Sequence, residues 1–118
     1  MESKLKILAY RPLGKIKRIN LDWLYGIDII KELQKRHPEW NFFIVNGSYD
    51  GNIWENVTVL LRPNRHDGLS MMIVEARKYG IPYIWSYETG QYVEPNIDDI
   101  ERRLIELEKN ICRPNIQV

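Results

Sequence analysis

Four short apolar runs, set apart by segments of different character, constrain the fold of this chain more than any other feature. The runs are Leu5 to Tyr10, Trp40 to Val45, Val57 to Leu61 and Ile81 to Trp85. The first is interrupted only by Lys6 and fits a mostly buried strand. The third contains the β-branched residues that strands favour. The runs therefore predict four strands.

Amphipathic segments lie between and after these runs, and their apolar residues recur at helical spacing. The predicted helices span about Asp22 to Arg36, Leu69 to Tyr79 and Ile97 to Glu108. Gly80 stands in a C-cap position of the second helix, and Asn96 stands at the N-cap of the third. Between the second and third strands, residues 48–56 leave room only for a short helix, because a parallel crossover usually takes about a dozen residues or more.

Strands that alternate with helices are typical of a parallel sheet covered by helices. The 118 residues, of which 44% are hydrophobic and 28% charged, suffice for one compact core and leave little room for two domains. We therefore expect a single α/β domain over residues 1–118, with a mostly parallel sheet flanked by helices.

Charge and composition argue against several classes of protein. Lys and Arg total 17 against 16 for Asp and Glu, so the formal charge of +1 gives no global field that favours nucleic acid. The single cysteine, Cys112, cannot form an internal disulfide or build a metal site by itself, which fits a reducing cytoplasm. No apolar run approaches the roughly 20 residues of a membrane span, and the start resembles no signal peptide. We expect a cytoplasmic protein without a membrane span.

Two loops with polar residues follow the first and third predicted strands. In a parallel sheet such loops meet at the carboxyl edge, where helix starts attract phosphate. Gly68 would allow close approach of the backbone, and the amides of Leu69 and Ser70 would lie among the unpaired donors of the helix start. A diphosphate could bridge the two loops. Their residues are Arg11, Lys15, Lys17 and Arg18 in the first, and Arg65, His66, Asp67, Gly68, Leu69 and Ser70 in the second.

Each of these features also has a purely structural interpretation. Asp67 and Glu75 lie near a helix start, where acids are favoured by capping and by the helix dipole. The loop cations also fit a solvated surface. The four tryptophans fit packing as well as carbohydrate stacking, and Trp85, at the carboxyl end of a strand, is the one placed for a ligand. Neither histidine supports a metal site.

Three short segments together resemble a known family. Asp67-Gly68-Leu69, Val74-Glu75-Ala76 and Gly80-Ile81-Pro82 are similar, in the same order, to a Glu-Gly turn, a Glu-Ala helix and a Gly-Val-Pro strand entry. These elements belong to the carboxyl-terminal, donor-binding half of retaining GT-B glycosyltransferases, which use nucleotide sugars. Weaker similarities are Arg11 after the first strand, Gly26-Ile27-Asp28, and the strand end Ile44 to Gly47. Together they span most of the chain.

The resemblance implies a Rossmann-like domain that binds a nucleotide sugar as substrate, with no metal or other cofactor required. By similarity Glu75 would hold the ribose hydroxyls, Asp67 would face the donor sugar, and Arg11 with Lys15 or Lys17 would neutralise the departing diphosphate. The chain departs from the pattern at two positions. Asp67 stands where the family usually has Glu, and Tyr25 stands where a lysine is expected.

The resemblance also bears on partners, because the active site of the family is a cleft between two domains and this chain has room for the donor half. An acceptor surface would come from another protein or from a homodimer, or would not exist. Three classes of function follow: a minimal glycosyltransferase, a non-catalytic nucleotide-sugar-binding or regulatory module, and a nucleic-acid-binding protein that uses the basic loop. The near-neutral charge disfavours the third.

Overall fold

Four strands form one all-parallel sheet in a computed structural model that describes residues 4–67, 70–87 and 94–111. The spatial order is β2-β1-β3-β4, so β1 and β3 are central and the carboxyl ends of all four strands lie along one edge. The strands are β1 (Lys6–Arg11), β2 (Asn41–Asn46), β3 (Val59–Arg62) and β4 (Tyr83–Trp85). The four predicted strands and the parallel sheet are confirmed.

Four helices and one 3-10 turn cover the sheet. They are α1 (Leu21–Leu24), α2 (Ile27–Arg36), the 3-10 turn (Gly51–Trp54), α3 (Met71–Lys78) and α4 (Ile97–Ile111). The single turn between β2 and β3 confirms that this connection holds only a short helix. The molecule is thus an α/β, Rossmann-like domain with helices on both faces of its sheet.

Side chains of the central strands alternate between two separate cores. Ile7 and Ala9 of β1 pack with α2 and α4 on one face, whereas Leu8 packs with α3 and the 3-10 turn on the other. Both faces are covered, so β1 and β3 are apolar on both sides, as parallel strands generally are. The alternation places Leu60, and with it Arg62 two residues later, on the α3 side of β3.

The continuous helix predicted from Asp22 to Arg36 is wrong near its amino-terminal end, because Tyr25 and Gly26 interrupt the helix between α1 and α2. Gly26 sits there with φ of +68°, a conformation that glycine adopts without steric cost. A Cβ on Gly26 would lie 2.2 Å from the carbonyl oxygen of Pro63. The break therefore lets the loop after β3 pass directly against the helix pair, and the Arg65 amide donates to the Leu24 carbonyl at 2.8 Å.

Helix boundaries near the carboxyl edge differ slightly from prediction. Ser70 is the N-cap of α3, and its Oγ accepts from the Ile73 amide at 3.4 Å, so α3 starts two residues later than predicted. Gly80 follows the end of α3 with φ of +69°, as its predicted capping position requires. At α4, Asn96 Oδ1 accepts from the Asp99 amide at 3.0 Å, which confirms Asn96 as N-cap. No helix in the described ranges has both the length and the apolar character to cross a bilayer.

Candidate functional site

The side chains of Arg62, Asp67 and Trp85 form a hydrogen-bonded cluster at the carboxyl end of β3. Arg62, the last residue of the strand, donates from Nε to Asp67 Oδ2 at 2.7 Å and from Nη2 to Asp67 Oδ1 at 3.1 Å. Trp85, the last residue of β4, donates from Nε1 to Asp67 Oδ2 at 2.8 Å. The Asp67 side chain is only 6% exposed. Both of its oxygens are engaged by its own chain, so the geometry favours a role in positioning Arg62 over the predicted contact with a donor sugar.

Arg62 lines a cavity of about 180 Å³ between the strand ends and the start of α3. Its remaining terminal nitrogen, Nη1, lies 3.8 Å from Met72 Sδ, which is a weak acceptor. The guanidinium therefore places a cation at the wall of the cavity. The other lining residues are Tyr10, Tyr49, Ser70, Met71 and Met72. Arg62 was not among the predicted site residues, although a charged residue that ends an apolar strand was a usable signal.

Glu75 does not line this cavity itself but is held by Tyr49, which does. The Tyr49 hydroxyl donates to Glu75 Oε2 at 2.6 Å. Burial, with the hydrogen bond to Glu75 as the next cause, raises the pKa of the Tyr49 phenol well above its ordinary value of 10.0. The phenol thus remains a donor at neutral pH and fixes the carboxylate. Within the described residues, Glu75 Oε1 makes no hydrogen bond and is available to a hydroxyl group of a ligand.

Arg11 and Lys15 line a different cavity, of about 250 Å³, at the start of α1. Arg11 donates from Nε to Asp22 Oδ1 at 2.5 Å and from Nη1 to the Pro12 carbonyl at 2.7 Å. Lys17 is exposed on the adjoining loop and lines neither cavity. The predicted set of diphosphate-binding residues is therefore divided, with Arg11 and Lys15 in one cavity and Ser70 in the other.

Arg65 was predicted among the residues that bind the nucleotide sugar, and in the structure its side chain is engaged by its own chain. Its guanidinium donates two hydrogen bonds to the carboxylate of Asp28, at 2.8 and 2.9 Å. It also donates from Nε to Glu94 at 2.7 Å and from Nη1 to the Trp23 carbonyl at 2.6 Å. The group also stacks over the Trp23 ring, 4.9 Å from its centroid. All three nitrogens are committed and the side chain is 8% exposed, so Arg65 crosslinks the loop to α1 and α2.

This crosslink shifts the acid–base behaviour of both partners. The hydrogen bond from Arg65 lowers the pKa of Asp28 below its ordinary value of 3.8. The hydrogen bond that Arg65 donates to Asp28 raises the pKa of Arg65 beyond that of a free guanidinium. Each charge thus stabilises the other, which keeps the pair ionised at neutral pH.

The remaining predicted residues lie around the start of α3. Ser70 is buried at the N-cap and borders the Arg62 cavity, as its predicted place at the helix start requires. Gly68 and Leu69 lie outside the described residues. Among the residues that are described, no group of three or more His, Cys, Asp or Glu side chains is arranged to hold a metal ion.

Comparison of the chain with protein-family models, curated proteins and solved structures gives no match. Inference about function therefore depends on the residues at the carboxyl edge and on the short segments that resemble glycosyltransferases.

Proposed function

We propose that this protein is glycosyltransferase-like: it binds a nucleoside-diphosphate sugar at the carboxyl edge of its sheet, on the α3 side, and transfers the sugar to an acceptor held by another chain. One observation carries the proposal. The Glu75 carboxylate is fixed by the phenol of Tyr49, and Tyr49 lines a cavity whose wall also carries the Arg62 cation. The spacing of Asp67 and Glu75, which resembles that of donor-binding domains, supports the same assignment.

Glu75 is suited to the ribose of the ligand. With Oε2 held by Tyr49, Oε1 can accept a hydrogen bond from a ribose hydroxyl, and hydrogen bonds to a charged acceptor are stronger than those to neutral ones. The rings of Tyr10 and Tyr49, with centroids 6.2 Å apart, add apolar surface to the same cavity. The proposed site thus offers both polar recognition of a sugar ring and apolar contact area.

Arg62 and the first turn of α3 are suited to the diphosphate. A guanidinium and a helix N-terminus both favour anions, and charge that develops on a departing diphosphate is stabilised by such groups. The cavity of about 180 Å³ is smaller than the roughly 300 Å³ at which pockets begin to enclose a whole small ligand. It would therefore hold the ribose and diphosphate, with the donor sugar extending along the edge. Contact of Arg11 and Lys15 with the same ligand remains a prediction.

A second candidate function is a module that binds the nucleotide sugar without turnover. The engagement of both Asp67 oxygens by Arg62 and Trp85 favours this alternative, because it leaves no unengaged carboxylate at that position to act on the sugar. The alternatives share one site and differ in chemistry. Release of free sugar from the donor, or its transfer to an added acceptor, supports the enzyme; donor binding without either product supports the module.

The first test is calorimetry with a panel of nucleoside diphosphates and their sugars on the wild type, Glu75→Ala and Glu106→Ala. We expect at least one donor to bind the wild type and Glu75→Ala to bind it about tenfold more weakly or worse, since hydrogen bonds to charged groups contribute roughly 1.5–3 kcal/mol. Glu106→Ala removes an exposed carboxylate of α4 and should match the wild type. Absence of binding to every donor, or equal loss in both variants, would contradict the proposal.

A further inference from the structure

The loop between β1 and α1 exposes aliphatic side chains next to cations. Three large apolar side chains of this loop and one of α1 are unusually open to solvent, and we call them, together with the neighbouring cations, the loop patch. Leu13 is 71% exposed, Ile16 53%, Ile19 46% and Trp23 50%. The cations of the loop patch are Lys15, Lys17 and Arg18. Scattered exposed apolar residues are common, but a local group interleaved with like charges is typical of a binding surface.

The cations of the loop patch have no acidic partner in the part of the chain that is described. Lys15, Lys17 and Arg18 form no ion pair there, whereas the nearby Asp22 carboxylate is already taken by Arg11 at 2.5 Å. Three unpaired positive charges therefore lie close together on a chain whose net charge is only +1. This local field attracts a negatively charged partner.

A defined turn presents the loop patch. The Ile19 amide donates to the Ile16 carbonyl at 3.1 Å, and the two residues form an isolated antiparallel bridge. Residues directly opposite in such a bridge project to the same side, so Ile16 and Ile19 form one small apolar surface. Lys17 and Arg18 occupy the corner of the turn, Arg18 with φ of +68°. Aliphatic and cationic groups are thus held together by the backbone.

We propose that the loop patch docks this protein on an anionic lipid surface. Such a surface supplies what each part of the patch lacks: negative headgroups for the three cations, hydrocarbon for Leu13, Ile16 and Ile19, and an interfacial layer for Trp23. Single-stranded nucleic acid would satisfy the cations but not the aliphatic side chains. It would also need aromatic rings for stacking, and one face of the Trp23 ring is covered by Arg65.

Docking would also orient the candidate site. The loop patch follows β1 at the carboxyl edge of the sheet, which is the edge that carries Arg62 and Glu75. A protein held by the loop patch would turn this edge toward the lipid surface. The inference does not depend on the proposed function, since it rests on exposure and charge alone.

The test is sedimentation of the protein with vesicles of phosphatidylcholine, with and without phosphatidylglycerol, at low and high salt. We expect the wild type to sediment with the anionic vesicles and high salt to reduce binding. A charge-reversal variant, Lys17→Glu with Arg18→Glu, should bind about tenfold more weakly or worse. An apolar variant, Leu13→Ser with Ile16→Ser, should also bind more weakly.

Two control variants change the same residue types elsewhere on the surface. Lys31→Glu with Lys35→Glu alters exposed cations of α2, and Val74→Ser with Tyr79→Ser alters an exposed apolar residue in the middle of α3 and another just after its end. Both should sediment as the wild type does, and circular dichroism should show that all four variants are folded. Nucleotide calorimetry without lipid tests the proposed function separately.

Three outcomes would overturn the inference. The first is no sedimentation with anionic vesicles, and the second is an equal loss of vesicle binding in the control variants. The third is full binding by the Leu13→Ser, Ile16→Ser variant, because binding would then depend on charge alone. A loop patch that binds single-stranded DNA and not vesicles, with the charge-reversal variant losing that binding, would assign the loop to nucleic acid instead.

Discussion

Tyr49 decides the geometry of the candidate site at the scale of single residues, because its hydroxyl holds one oxygen of Glu75. We predict that Tyr49→Phe lowers the preference for ribose over 2′-deoxyribose nucleoside diphosphates by roughly two- to tenfold. The reason is that loss of the hydroxyl frees the Glu75 carboxylate to rotate, which weakens its hydrogen bond to the ribose hydroxyl by about 0.5–1.5 kcal/mol. The measurement is the ratio of the two dissociation constants.

A matched control for this substitution is Tyr79→Phe, which removes an exposed hydroxyl from the end of α3. It should leave the ribose preference unchanged. If Tyr49→Phe weakened both nucleotides equally, Tyr49 would be a packing residue, and its assigned role in orienting Glu75 would be wrong.

Gly26 is the second residue on which the site depends, because the loop after β3 crosses it. We predict that Gly26→Ala lowers the free energy of unfolding by about 2 kcal/mol or more, since the new Cβ would meet the Pro63 carbonyl at 2.2 Å in a left-handed backbone conformation. Gly80→Ala shares the left-handed conformation, but nothing lies within 4 Å of its Cβ. It should cost only about 1 kcal/mol. Urea denaturation measures the free energy of unfolding of both variants. Equal decreases in the two variants would exclude the steric explanation.

At the scale of elements, the Arg65–Asp28 pair ties the loop after β3 to α2 and makes that attachment sensitive to acid. The pKa of Asp28 is lower in the folded chain than its ordinary 3.8, so the unfolded chain takes up the proton more readily. The contribution to stability is therefore fully present above pH 3.8 and is lost as the pH falls through the folded-state pKa.

We predict that Asp28→Asn destabilises the protein at neutral pH and that the difference from the wild type shrinks below pH 3.8. Urea denaturation across this range measures the difference. Glu106→Ala serves as the control, because it removes a carboxylate that lies away from Arg65. A difference between wild type and Asp28→Asn that did not change with pH would show that the ion pair does not stabilise the fold.

The elements were largely predictable from the sequence, and the exceptions have physical causes. The spacing of apolar residues identified the helical segment after β1. That spacing carries no information on the close approach of Pro63 to Gly26, where the helix is interrupted. The start of α3 was placed early because a short polar loop and a first helical turn look alike in sequence. The capping hydroxyl of Ser70 marks the true start.

The candidate site was only partly predictable. The sequence placed Arg65 and Asp67 together after the third strand. It could not show whether Arg62 or Arg65 would form an ion pair with a residue distant in the chain. Asp28, 37 residues away, takes Arg65, whereas Arg62 remains at the cavity wall. Strand alternation could have found Arg62, since it shares a face with Leu60. The hydrogen bond from Tyr49 to Glu75 was not predicted, because Tyr49 lies in the connection between β2 and β3, whose sequence has no regular hydrophobic pattern.

At the scale of the whole molecule, the carboxyl edge of the sheet holds two surfaces with different chemistry. The α3 side has a fixed carboxylate and a cation beside a cavity, and the loop patch on the α1 side has cations among aliphatic side chains. We assign a nucleoside diphosphate to the α3 side and an anionic lipid surface to the loop patch. Because Glu75, Tyr49 and Arg62 do not belong to the loop patch, each ligand should bind without the other.

The central claim is that a nucleoside diphosphate binds on the α3 side of this edge, and mapping of amide chemical shifts tests it most directly. With the tightest nucleoside diphosphate of the panel, we predict that the perturbed amides cluster at Tyr10, Tyr49, Met71 and Met72. Perturbation centred instead on the cavity between β4 and α4, where Arg103 and Ile84 lie, or no perturbation at saturating ligand, would contradict the account.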